Sequence, residues 1–252
     1  MPDRKDQSSD LLSLVQHSGT TSVSCIGLAK NVGKTVAFNY LVEQAAARSL
    51  RLGLTSIGRD GEKRDEVFYT PKPRIFAPAG SLLATATDTL KRCEATVEVL
   101  QHTGFASAIG EIVVVRTTAA GLVELAGPTL ISQHQALQQR FVQHGAERTL
   151  NYGALDRVSP AVPALAQSII LSTGAALGQS VDLVLAKTLD RINRLTLPQV
   201  SPPLLTVCRQ IMTANQVALL DEELQINTLD TPHSLLAGEL LKQAITNRKE
   251  SV

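Results

Sequence analysis

The run Gly27-Leu28-Ala29-Lys30-Asn31-Val32-Gly33-Lys34-Thr35 carries the residue types that a polyphosphate needs. It follows an apolar run (Val23, Cys25, Ile26) and precedes a helical pattern (Val36, Ala37, Tyr40, Leu41, Ala45), so it reads as a strand-to-helix loop. Backbone N–H groups at a helix N-terminus point at an anion, and the helix dipole adds partial positive charge there. Lys34 would bring a point charge to the β- and γ-phosphates, and the Thr35 hydroxyl would coordinate Mg²⁺. Lys30, Asn31, Val32, Gly33 and Val36 complete the candidate nucleotide-binding set around them. The usual spacing requires glycine at position 28, where this chain has Leu28, so five residues separate Gly27 from Gly33. A plain glycine-bearing turn is the alternative reading.

A phosphate loop needs a carboxylate to finish its metal site, held directly or through water in octahedral geometry. Glu124, in Leu122-Val123-Glu124-Leu125-Ala126-Gly127-Pro128, ends an apolar strand and is favoured. Asp156, in Leu150-Asn151-Tyr152-Gly153-Ala154-Leu155-Asp156-Arg157, lies several residues past its strand and reads better as a helix cap or a surface partner of Arg157. Asp60 and Arg59 belong to the loop Gly58–Glu66, which leaves the second strand loaded with glycine and charge. Asp60 is the candidate second metal ligand or water-positioning group, and Arg59 a phosphate contact. Lys34, Asp60 and Glu124 thus form the expected catalytic set, and Thr35, Asp60 and Glu124 the expected metal set. The bland readings are a solvated glycine turn for residues 58–62 and a surface glutamate for Glu124. Few apolar anchors lie in Gly58–Glu66, so that loop is expected to order only when phosphate and metal give it partners.

The elements that must position these residues follow from composition and pattern. The chain has 252 residues, 44% hydrophobic, enough to bury a large core. With 24 Lys and Arg against 23 Asp and Glu it offers no broad basic face, which argues against nucleic-acid binding. Cys25, Cys93 and Cys208 are too scattered for a zinc site or a redox pair. No apolar run reaches membrane-span length, and the polar N-terminus makes the cytoplasm the default location.

Apolar runs alternate with helix-length segments. Strands are expected at Val23–Ile26, Leu50–Ile57, Arg74–Pro78, Glu111–Arg116, Leu122–Leu125, Arg148–Asn151 and Ser168–Leu171. Helices are expected at Lys34–Arg48 and Ser132–His144, with 81–101 mostly helical and a short helix around Leu11–Val15 in an otherwise mobile arm, residues 1–20. This alternation predicts an α/β fold, a mainly parallel sheet with helices on both faces. Its ligands would bind beyond the carboxyl ends of the strands. The prolines of Leu197–Leu204 set a boundary between a nucleotide-binding domain at 21–197 and a C-terminal α/β extension of the same domain at 198–252.

The loop Gly27–Thr35 and the stretch Val123-Glu124-x-Ala126-Gly127 resemble dethiobiotin synthetases, including the five-residue gap. That resemblance implies the fold of the P-loop NTPase class and a metal-binding glutamate. It does not carry the synthetase activity, because this chain reads Thr55-Ser56-Ile57-Gly58 where that family has a Lys-Pro pair for substrate. Ala29 occupies the place of the extra lysine that marks MinD-like ATPases. A longer resemblance, over roughly residues 22–180, is to the small subunit of the lysine 5,6-aminomutase reactivase family. It rests on the Gly27–Thr35 loop, Leu54–Glu62, Lys72-Pro73-Arg74 with Ala79-Gly80, Val123–Pro128, Gly153–Arg157 and Leu171-Ser172-Thr173-Gly174. It implies an ATP- and Mg²⁺-binding helper of a larger MutS-like ATPase subunit, with slow ATPase activity of its own. The pair would restore an aminomutase that uses adenosylcobalamin and pyridoxal phosphate. Where that family implies an acid before Gly153-Ala154, this chain has Tyr152, which puts turnover in question.

Two other functions stay open: an ATP-dependent small-molecule ligase or kinase of the dethiobiotin synthetase type, and a P-loop scaffold without turnover. ATP is favoured over GTP by default, since Asn227-Thr228-Leu229-Asp230 has threonine where guanine recognition uses lysine. Homo-oligomerisation is left open.

Overall fold

A computed structural model describes residues 10–17, 19–57, 74–153, 165–198, 200–221, 223–231 and 237–249. The chain divides into two compact units, Met1–Leu195 and Thr196–Val252.

The first unit is an α/β structure. In chain order it comprises α1 (Leu11–His17), β1 (Ser22–Gly27), α2 (Lys34–Ala47), β2 (Leu52–Ser56), β3 (Ile75–Ala77), β4 (Leu82–Ala86) and α3 (Thr87–Leu90). There follow β5 (Thr96–Ser107), β6 (Gly110–Ala119), β7 (Gly121–Val123), α4 (Ile131–Gln143), β8 (Arg148–Tyr152), β9 (Ser168–Ser172), a 3₁₀ turn at Ala175–Leu177 and α5 (Val181–Leu195). Seven strands form one sheet in the order β5-β6-β4-β2-β8-β1-β9. The five from β4 to β9 run parallel, while β6 is antiparallel to β4 and β5 to β6. A separate two-stranded ladder pairs β3 with β7.

Across β1, β2 and β4 both faces of the sheet are buried, and the period-two alternation of strand side chains assigns them. Val23, Cys25, Leu54, Leu83, Val113 and Val115 pack with Leu12 and Val15 of α1 and with Phe38, Leu41 and Val42 of α2. The alternate positions Leu82, Ala84, Ala86, Ile112 and Val114 pack with Leu137 and Phe141 of α4. The mainly parallel sheet expected from the sequence is present, with helices on its two faces.

One expectation needs correction. Residues 81–101, expected mostly helical, form β4, the one-turn α3 and the start of β5. The reason is burial on both faces: Leu82-Leu83-Ala84-Thr85-Ala86 is buried at every position, so no alternation marks it as a strand. In the N-terminal arm the short helix expected around Leu11–Val15 is present as Leu11–His17, anchored by buried Leu12 and Val15, and Asp10 pairs with Arg48 of α2.

The second unit contains α6 (Pro202–Thr213), the antiparallel pair β10 (Val217–Leu220) and β11 (Ile226–Leu229), and α7 (Gly238–Lys249). Pro202 and Pro203 open α6, where a missing N–H costs nothing. Among the described residues no helix is long and apolar enough to cross a membrane.

Candidate functional site

Parallel register brings the carboxyl ends of four strands into one row. Cys25 and Ser56 both pair with Tyr152, and Gly27 pairs with Ser172. Main-chain bonds extend the ladder past the strand ends: Leu28 N donates to Ser172 O, Ile57 N to Tyr152 O and Gly153 N to Cys25 O, at 2.9 to 3.1 Å. The loop 28–33 therefore leaves a rigid base between β9 and β8.

The loop turns through two left-handed residues, Asn31 (φ 60°) and Gly33 (φ 87°). Asparagine and glycine are the residues that take this conformation most readily. Gly27 has no room for a side chain, because a Cβ there would lie 2.9 Å from Val32 Cγ2. Gly33 immediately precedes α2, so no N-cap side chain closes its first turn. Lys30 and Asn31 are exposed, Val32 is buried, and Val36 faces outward at 68% exposure.

Lys34 and Thr35 open the helix, and both meet β8. The Lys34 ammonium donates to the Gly153 carbonyl and sits over the Tyr152 ring, 3.9 Å from its centroid. Buried Thr35 has its hydroxyl 2.6 Å from the Tyr152 hydroxyl. Phe38, one turn along α2, meets the Tyr152 ring edge-on at 5.3 Å. On the α2 face of β1, in the same cluster as Phe38 and Tyr152, burial pushes the Cys25 thiol up to about 12, against the opposing pull of the Lys34 charge. Cys25 is thus an inert neutral group beneath the loop.

Glu124 lies elsewhere. Its carboxylate is held by Arg92, with Nε at 2.8 Å and Nη2 at 2.7 Å, and that hydrogen bond raises the Arg92 pKa. The stretch after β7 is strapped to β4 and β2: Thr85 Oγ1 donates to Glu124 O and accepts from Ala126 N, and Ser56 Oγ accepts from Gly127 N. His134 of α4 reaches Pro128 O through Nε2 at 2.8 Å, and burial holds its pKa below the usual histidine range. In the strand order, β4 stands three places from β1, about 14 Å at ordinary strand spacing. Sequence reasoning paired Glu124 with Thr35; in the structure its carboxylate meets Arg92.

Asp60 and Arg59 lie outside the described residues, as does Asp156. Among the described residues no group of three or more His, Cys, Asp or Glu could hold a metal. The oxygen offered beside Lys34 is the Thr35 hydroxyl. Magnesium retains several waters and takes phosphate oxygens readily, so one protein hydroxyl fits the ion when phosphates accompany it. The participants that sequence reasoning missed are Arg92, Ser56 and the Gly153 carbonyl; Tyr152 was read there only as a missing acid. The chain matches no protein-family model, no curated protein and no solved structure.

Proposed function

We propose that this chain is a P-loop nucleotide-binding protein, of the dethiobiotin synthetase-like class, that takes a nucleoside triphosphate with Mg²⁺. The observation that carries the reading is the position of Lys34 and Thr35. They stand in the first turn of an uncapped helix, after a loop with two left-handed residues, at the carboxyl end of a parallel strand. An anion would complete that helix end, since its first N–H groups otherwise lack intrahelical partners. Lys34 would exchange the Gly153 carbonyl for phosphate oxygens, and Thr35 would offer its hydroxyl to the ion. When bound, Mg²⁺ supplies charge neutralisation between phosphates.

The resemblance to reactivase small subunits extends this reading. The bound state would serve a MutS-like ATPase partner in restoring a cobalamin- and pyridoxal phosphate-dependent aminomutase, in the cytoplasm, with ATP as the nucleotide. A second reading, nucleotide binding without turnover, is favoured by one observation: the group beside Thr35 is the phenol of Tyr152, which is no general base at neutral pH.

Calorimetric titration with ATP and Mg²⁺ tests the site. Lys34→Ala should weaken binding roughly ten- to a hundredfold, the worth of a hydrogen bond to a charged group, while the protein stays folded. Undiminished affinity in the folded variant overturns the phosphate-loop reading.

A further inference from the structure

Two side chains that a polyphosphate would use are already engaged by one residue. Tyr152 ends β8, the strand beside β1, and its hydroxyl meets the Thr35 hydroxyl at 2.6 Å. Its ring carries the Lys34 ammonium on one face, and the following carbonyl, Gly153 O, accepts from the same ammonium. One aromatic contact holds the ring and two main-chain bonds hold the backbone that carries it. Phe38 meets it at an interplanar angle of 90°, Ile57 N binds the Tyr152 carbonyl at 3.1 Å, and the next amide, Gly153 N, is bonded to Cys25 O.

We propose that Tyr152 is a positioning residue that gates the site, holding Lys34 and Thr35 against β8 until polyphosphate and Mg²⁺ displace them. This rests on the nucleotide-binding reading above and adds the regulation of that site. The two contacts gate different parts of the ligand. Either hydroxyl can donate in this pair; with the phenol as donor, one of the two Thr35 lone pairs is taken up and withheld from an ion, and that arrangement opposes the metal. The ring face and the Gly153 carbonyl compete for the Lys34 charge, so that contact opposes the phosphates. Tyr152→Phe removes the first contact and keeps the ring. Tyr152→Leu removes the hydroxyl and the ring face together.

The test compares wild type, Lys34→Ala, Tyr152→Phe and Tyr152→Leu, each verified as folded by circular dichroism. ATP, GTP and inorganic tripolyphosphate are the probes, with Mg²⁺ or with EDTA. Tyr152→Phe should tighten binding with Mg²⁺ roughly two- to tenfold, the equivalent of one net hydrogen bond, with a smaller gain in EDTA. Tyr152→Leu should tighten binding in both conditions. A purely supporting tyrosine predicts weaker binding in both variants, and that result, or unchanged affinity, overturns the gate while Lys34→Ala still reports on the site. Absence of binding by every protein and every probe removes the phosphate site and the gate with it.

A second measurement does not depend on the Tyr152 variants folding. The chain has no tryptophan and three tyrosines, so Tyr40→Phe with Tyr69→Phe leaves Tyr152 as the sole phenol. Its near-ultraviolet absorbance should shift on titration with Mg²⁺ and ATP as the Thr35 hydrogen bond breaks. Binding without any such shift overturns the proposal.

Discussion

Arg92 and Glu124, 32 residues apart, form a two-pronged ion pair: both Nε and Nη2 of the guanidinium contact Glu124 Oε2, at 2.8 and 2.7 Å. The pair joins the turn after α3 to the stretch after β7, whose main chain is held by Thr85 and Ser56.

With side chains 31% and 19% exposed, this pair lies between the surface and buried regimes. Glu124→Gln should therefore destabilise the protein by about 1–2 kcal/mol in urea melts, more than a surface pair and less than a fully buried one. Arg92→Ala should cost a similar amount, and the double variant should fall short of the sum. A change in Mg²⁺ dependence of nucleotide binding confined to Glu124→Gln would add the metal role expected from the sequence. Additive losses would show that the pair is not coupled.

Gly33, at φ 87°, takes a conformation that costs a residue with a Cβ about 1–2 kcal/mol. Gly33→Ala should lower stability by that amount and weaken nucleotide binding. Gly33→Asn should do less harm, since Asn31 holds φ 60° two residues earlier. Thermal melts of the two variants side by side check the order, and equal losses would refute the conformational explanation.

Burial keeps His134 neutral in the folded chain, with its pKa lowered from 6.5. The unfolded chain takes up a proton below that value and the folded chain does not, so stability is present above about pH 6.5 and is lost as pH falls. The slope from this one group should approach about 1.4 kcal/mol per pH unit at most. His134→Gln should flatten the profile between pH 6.5 and the lowered folded value. An unchanged profile in the variant would assign the acid sensitivity to other groups.

Residues 58–70 test the partner role. Hydrogen exchange across them should slow on adding a non-hydrolysable ATP analogue, and slow further with the cognate ATPase subunit. Equal exchange with and without nucleotide would favour a small-molecule enzyme over a reactivation factor.

The strand–loop–helix at 22–47 was legible because each signal is local: an apolar run, two glycines, then a helical pattern. The run 82–86 was not, because burial on both sides erases the alternation that marks a strand. Thr96, Val97 and Val99 carried the β-branched signal for β5, but they follow alanine- and leucine-rich residues that suit a helix equally well. The neighbours of the Gly27–Thr35 loop were hidden for a different reason. Tyr152 lies 117 residues from Thr35, and that β8 pairs with β1 is a property of topology rather than of any window of sequence. The search for an acid at a strand end found Glu124, whose strand is not in the main sheet.

The flank of the sheet formed by β5 has a consequence for how this protein behaves at high concentration. β5 is a twelve-residue outer strand, long enough to invite a stranger chain to add on. Its ladder with β6 shifts register at Thr96/Val97, at Val99/Gln101 and at His102/Phe105, and Gly104 turns through φ 76°. Such bulges kink a strand and break the even row of amides and carbonyls that cross-β growth copies from one molecule to the next. A strand that would otherwise be a template for fibres is thereby kept from being copied.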